Sequence, residues 1–127
     1  MKVLIIEDEP LVARLYEKTL KFDGFEVSIA NGGNEGLTKT KAEKPDLVLL
    51  DIMMPEPDGI EVLDKLKKDE ETKGIPVVIL TNLSGKHDAE LALSKGADDY
   101  WIKRDAEPKD LGKMIKGILN RKPAGPN

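Results

Sequence analysis

Residues 47–59 read LVLLDIMMPEPDG. Leu47, Val48, Leu49 and Leu50 are four apolar residues in a row, the pattern of a short strand buried on both faces, as strands of a parallel sheet are. Asp51 ends the run. A carboxylate at the mouth of an apolar core is costly unless something pairs with it, so this position calls for partners from elsewhere in the chain. Pro55, Pro57 and Gly59 then mark a loop, and a helical pattern follows over residues 59–69.

The same alternation extends in both directions. Apolar runs at residues 3–6, 25–29, 77–80 and 100–102 predict four more strands. Helical patterns are read at 11–22, 35–44, 89–95 and 109–119. The last is the clearest, with Leu111, Met114, Ile115, Ile118 and Leu119 at i, i+3, i+4, i+7 and i+8, one stripe of a helix. Five strands alternating with five helices predict an α/β fold, a parallel sheet with helices on both faces.

Bulk properties set the outer bounds. The chain has 127 residues, 35% of them charged, and a net charge of −4. That length favours one domain, expected over residues 1–120. The tail at 121–127, RKPAGPN, reads as a flexible end or the stump of a linker. An acidic chain has no electrostatic affinity of its own for nucleic acid or an anionic membrane. There are no cysteines, which excludes disulfides and thiolate zinc sites. No stretch approaches the roughly 20 apolar residues that span a bilayer, and MKVLIIEDEP is not a secretory leader. A cytoplasmic location is the expectation.

In open parallel sheets, ligands bind beyond the carboxyl ends of the strands, where strand order reverses. Glu7 and Asp8 follow the first apolar run, Asp51 the third, Thr81 the fourth and Lys103 the fifth. The topology therefore gathers three acids, a hydroxyl and an ammonium on one edge. Three adjacent carboxylates repel one another unless a cation sits among them. Hard oxygen donors with no competing thiolate select magnesium or a similar ion. A carboxylate nucleophile beside such an ion, with Lys and Thr to hold the other oxygens, suits phosphoryl transfer through an acyl phosphate.

These residues together resemble the receiver domain of two-component response regulators, over residues 2–119. The resemblance is carried by Glu7-Asp8, by DIMMPEPDG around Asp51, by Thr81 and by GADDYWIK ending at Lys103. It implies a flavodoxin-like, doubly wound (βα)5 fold with strand order 2-1-3-4-5. It implies that Asp51 accepts a phosphoryl group from a sensor histidine kinase or phosphotransfer protein. Mg2+ would be held by Asp8, Asp51 and the Met53 carbonyl, with Glu7 acting through a water. Lys103 would pair with Asp51 and then with the phosphoryl group. Thr81 and Tyr100 would move inward as a switch, reshaping the face of the fourth helix, fifth strand and fifth helix for a downstream protein target. Such a chain is not an enzyme in the usual sense, because it catalyses only its own phosphorylation and dephosphorylation. It is expected to be a monomer or a phosphorylation-dependent dimer without direct contact to nucleic acid.

Three positions depart from the family pattern. Arg104 replaces the usual proline, often cis, after the lysine. A cis bond without proline costs about 3 kcal/mol, which predicts a trans Lys103–Arg104 bond and a rearranged loop. Asn82 replaces a small residue beside the site. Pro57 stands where an apolar side chain is usual. Alternative readings are a receiver trimmed from a longer regulator with an output domain and an Asp-nucleophile phosphohydrolase. The latter usually has a second acid two residues after the nucleophile, where this chain has Met53.

Overall fold

The computed structural model describes residues 1–120, so the expected tail at 121–127 lies outside the described residues. The elements run β1 (Lys2–Ile6), α1 (Pro10–Phe22), β2 (Glu26–Ala30), α2 (Gly33–Glu43), β3 (Leu47–Leu50), α3 (Gly59–Lys68), β4 (Val77–Thr81), α4 (Lys86–Ser94), β5 (Asp99–Ile102) and α5 (Pro108–Asn120). All neighbouring strands pair in parallel, in the order β2-β1-β3-β4-β5. The expected doubly wound sheet is present.

Strand alternation divides the core into two layers. Val3, Ile5, Leu47, Leu49, Val78 and Leu80 face one way and pack with Ala13, Tyr16 and Leu20 of α1 and Leu111, Ile115 and Ile118 of α5. Leu4, Ile6, Val48, Leu50, Val77 and Ile79 face the other way, against Val62, Leu63 and Leu66 of α3 and Ala92 of α4. Burial on both faces explains why β1, β3 and β4 read as unbroken apolar runs.

Local chemistry sets the ends of the site-bearing elements. Asp58 caps α3 by accepting from the Glu61 N–H at 3.0 Å, while Glu61 accepts in return from the Asp58 N–H at 3.0 Å. Such a capping box satisfies two otherwise orphaned donors. Gly59 opens the same helix because a Cβ there would run into the backbone of Asp51 and Ile52. Gly24 (φ 94°) and Gly96 (φ 104°) turn the chain into β2 and β5 in a region closed to most other residues.

Some boundaries differ from the sequence reading. α4 begins at Lys86, three residues before its first apolar positions, because its opening turn is polar, with Asp88 at the end that favours negative charge. Phe25 precedes β2 rather than opening it; its ring is buried, with the Lys116 ammonium 5.7 Å from its centroid. After β5 the chain makes a 3₁₀ turn, Lys103–Asp105, which periodicity did not predict. Ala106 closes that turn, its N–H donating to the carbonyls of Ile102 (3.1 Å) and Lys103 (3.3 Å). The one cis peptide among the described residues is Glu56–Pro57, so Lys103–Arg104 is trans as expected.

Candidate functional site

The sheet register places the acidic groups before any side chain is considered. The Glu7 N–H donates to the Ala30 carbonyl at 3.0 Å, and the Asp51 N–H donates to the Ile6 carbonyl at 3.1 Å. Glu7 and Asp51 therefore lie side by side just past the ends of β1 and β3. β5 is the outer strand beyond β4, yet the side chain of Lys103 is long enough to reach back to both acids. Its Nζ lies 2.7 Å from Glu7 Oε1 and 2.9 Å from Asp51 Oδ2.

The remaining carboxylate oxygens are also held. Asp51 Oδ1 accepts from the Met53 N–H at 3.0 Å, and Glu7 Oε2 accepts from the Glu9 N–H at 3.2 Å. Glu7 is 2% exposed and Asp51 5%. Two acids and one base in so little water leave the base outnumbered. Burial pushes the Glu7 carboxyl above its ordinary value, and the Asp51 charge adds to this, while the hydrogen bond from Lys103 opposes it. Burial alone would lower the Lys103 ammonium, but its bonds to Glu7 and Asp51 and their charges outweigh that and raise it.

Asp8 completes the cluster. Glu7, Asp8 and Asp51 each offer a carboxylate oxygen within 4.8 Å of the others. This donor set, all hard oxygen with an excess of negative charge, fits a hard divalent cation. The cluster opens into a depression of about 250 Å³ lined by Asp8, Glu9, Asp51, Met53, Asn82 and Lys103. A larger cleft of about 540 Å³ between α2 and α3 contains none of these groups.

Thr81 is the last residue of β4 and is fully buried. Its Oγ1 accepts a long bond from the Leu83 N–H at 3.4 Å. The Tyr100 hydroxyl donates to the carbonyl of the same Leu83 at 2.7 Å. Leu83 thus links the threonine and the tyrosine. Tyr100 packs with the α3 and α4 layer, while Trp101 points to the opposite layer, as strand alternation predicts.

All the sequence-selected residues except Tyr100 converge on the edge itself, and Tyr100 is tied to it through Leu83. Two residues were missed. Glu9 borders the depression, and Tyr16 is buried on α1 close enough to feel the charges of Lys103, Glu7 and Asp51; burial pushes its phenol up. The signal for Tyr16 was present, since it is the one hydroxyl on the inward stripe Ala13, Tyr16, Leu20.

The sequence matches the family model of the response regulator receiver domain over residues 3–116. The chain belongs to the response regulator receiver family. Receiver domains are regulatory modules of two-component systems and are not enzymes in the usual sense. Among curated relatives, the receiver is 38% identical to the alkaline phosphatase synthesis transcriptional regulatory protein PhoP of Bacillus subtilis over 94% of this chain and 49% of that protein. It is 36% identical to the DNA-binding response regulator MtrA of Mycolicibacterium smegmatis over 94% of this chain and 51% of that protein. It thus spans about half the length of these relatives.

Among solved structures, a CheY-like receiver domain protein from Methanospirillum hungatei matches with a TM-score of 0.87 and 32% identity, covering 95% of this receiver and 94% of that chain. The BeF3-activated N-terminal receiver domain of Klebsiella pneumoniae RstA matches with a TM-score of 0.86 and 32% identity, covering 95% and 100%. No helix among the described residues is long and apolar enough to cross a membrane.

Proposed function

We infer that this receiver is a phosphoaspartate switch whose acceptor is Asp51. The reading rests above all on the Lys103 ammonium, which bridges Glu7 and Asp51 at 2.7 and 2.9 Å at the carboxyl edge of the sheet. In this reading a carboxylate oxygen of Asp51 attacks the phosphorus of a histidine kinase phosphohistidine. A P–O bond forms, the P–N bond breaks, and the imidazole leaves. Asp8, Asp51 and the Met53 carbonyl would hold Mg2+, with Glu7 supporting them. The ion would supply positive charge to the transferring group.

Lys103 turns its ammonium from Asp51 to the incoming phosphoryl oxygens, which keeps that charge compensated at each stage. Thr81 supplies a hydroxyl to the same group. Tyr100 follows because both contact Leu83. The outcome is a changed α4-β5-α5 face for a downstream protein, a two-state element biased by a local charge change.

A second reading is favoured by the half-length match to relatives described as DNA-binding or transcriptional regulators. In it, this receiver governs an output domain of a longer regulator, and any contact with DNA is made there. Domain limits of 1–120, a tail at 121–127 and a cytoplasmic location fit either version.

The test is incubation with acetyl phosphate, with and without Mg2+, read by intact mass. One added phosphoryl group that requires both Mg2+ and Asp51, and is absent from Asp51→Asn, is the expected result. An adduct that persists in Asp51→Asn, or none at all, overturns the assignment.

A further inference from the structure

Two loops frame the acidic cluster. One runs from β2 through Asn31 and Gly32 to Gly33, the first residue of α2. The other runs from β3 to α3 and carries Asp51, Met53 and Pro57. Gly33 packs against Pro57 of the second. A Cβ placed on Gly33 would lie 2.5 Å from the Pro57 carbonyl oxygen, 2.7 Å from the Pro57 ring Cγ and 2.8 Å from Val62 Cγ2. The first of these is backbone and the third belongs to a fully buried side chain of α3. Neither can move without moving the loop or the helix. Position 33 therefore has room for hydrogen and nothing larger.

This contact borders the site. A hollow of about 350 Å³ lies against it, walled by Asp8, Asn31, Gly33, Pro55, Glu56 and Pro57. Asp8 lines both this hollow and the depression above Asp51. Asp8 follows Glu7, whose N–H donates to the carbonyl of Ala30 at the end of β2. Within the β3–α3 loop, the Met53 N–H donates to the Asp51 carboxylate. β1–β3 pairing sets Glu7 beside Asp51, while the Gly33–Pro57 contact bears on where the rest of the β3–α3 loop, which carries Met53, lies.

We propose that the Gly33–Pro57 contact is a positioning device that holds the β3–α3 loop so that the Met53 segment is set against Asp8 at the divalent-cation site. This also gives a role to Pro57. Its ring fills the space left by the missing side chain at Gly33 and stiffens the far end of the loop, which Gly59 pins at its near end. The inference rests on the reading of Glu7, Asp8, Asp51 and Met53 as a Mg2+ site. Gly33 and Pro57 touch no ion; they act through the loop.

The experiment is calorimetric titration of the metal-free protein with MgCl2, with urea unfolding run in parallel. Groups that support metal ligands typically affect affinity by about tenfold or more. Gly33→Ala is expected to weaken Mg2+ binding about tenfold. The double variant Gly33→Ala/Pro57→Gly is expected to bind no more weakly than Pro57→Gly alone, because the flexible loop yields to the added methyl.

Wild-type protein that fails to bind Mg2+ overturns the site assignment and this inference together. Wild type that binds, with a folded Gly33→Ala that binds equally well, overturns this inference alone. So does a double variant in which the two losses simply add. Should Gly33→Ala fail to fold, Pro57→Gly decides. Weakened Mg2+ binding in that variant supports the device, and wild-type affinity rejects it.

Discussion

Lys103 does at residue scale what a bound cation would do for the cluster, and its removal has a calculable cost. Its side chain is 10% exposed, against 3% for Glu7 and 6% for Asp51. Removing one partner of a buried ion pair leaves an uncompensated charge and costs about 3 kcal/mol or more. Lys103→Met is therefore expected to lower unfolding free energy by about 3 kcal/mol in EDTA, and added Mg2+ is expected to restore part of that loss. Urea unfolding with and without Mg2+ measures both; a loss that Mg2+ leaves unchanged would show that the ion does not share the charge role of Lys103. The acids and Lys103 were legible in the sequence because parallel topology dictates where strand ends go. The Gly33–Pro57 contact was not. Its place depends on how the start of α2 packs against a loop, and no local pattern encodes that.

At the scale of elements, ion pairs and hydrogen bonds tie helices to the sheet far from the site. Glu43 at the end of α2 meets Lys2 of β1, with Nζ to Oε1 at 3.1 Å, and accepts from the Ser28 hydroxyl of β2 at 3.4 Å. Partial burial would raise the Glu43 carboxyl, but the bonds from Lys2 and Ser28 outweigh it and hold it below the ordinary 4.5. A carboxyl with a lowered folded-state pKa stabilises the fold above its unfolded value, and that contribution fades as pH falls through the folded value. The gap in stability between wild type and Glu43→Gln should be about 0.5 kcal/mol at neutral pH. It should shrink steadily as pH drops below 4.5. A gap that is constant or widens on acidification would contradict this sign. Element identity was legible from periodicity; element ends were less so. α4 starts in a polar stretch, and the turn at Lys103–Asp105 replaces what proline would have set.

For the molecule as a whole, the two layers of core meet at β1, β3 and β4, and protection should follow. Every residue of β3 and β4 is buried, whereas all four residues of β5 are only partly so. Amides that exchange only on global unfolding are drawn from such fully buried strands. Hydrogen exchange is expected to be slowest at Leu4, Ile6, Leu49 and Ile79, and faster throughout β5. Equal protection in β5 would mean that the outer strand opens only with the whole fold. The sheet order was legible through family resemblance, since alternation alone gives strands and helices but not their neighbours.

The turn that ends β5 after four residues has a bearing on solubility. A sheet edge is a row of open backbone donors and acceptors, and a long flat one can recruit a strand from another molecule. Here the outer ladder is short, starts at an acid, Asp99, and curls away at Lys103 before a neighbour could lengthen it. Substitutions that straighten residues 103–105 into more strand would extend that edge, and the penalty would appear as aggregation on storage before any loss of the fold.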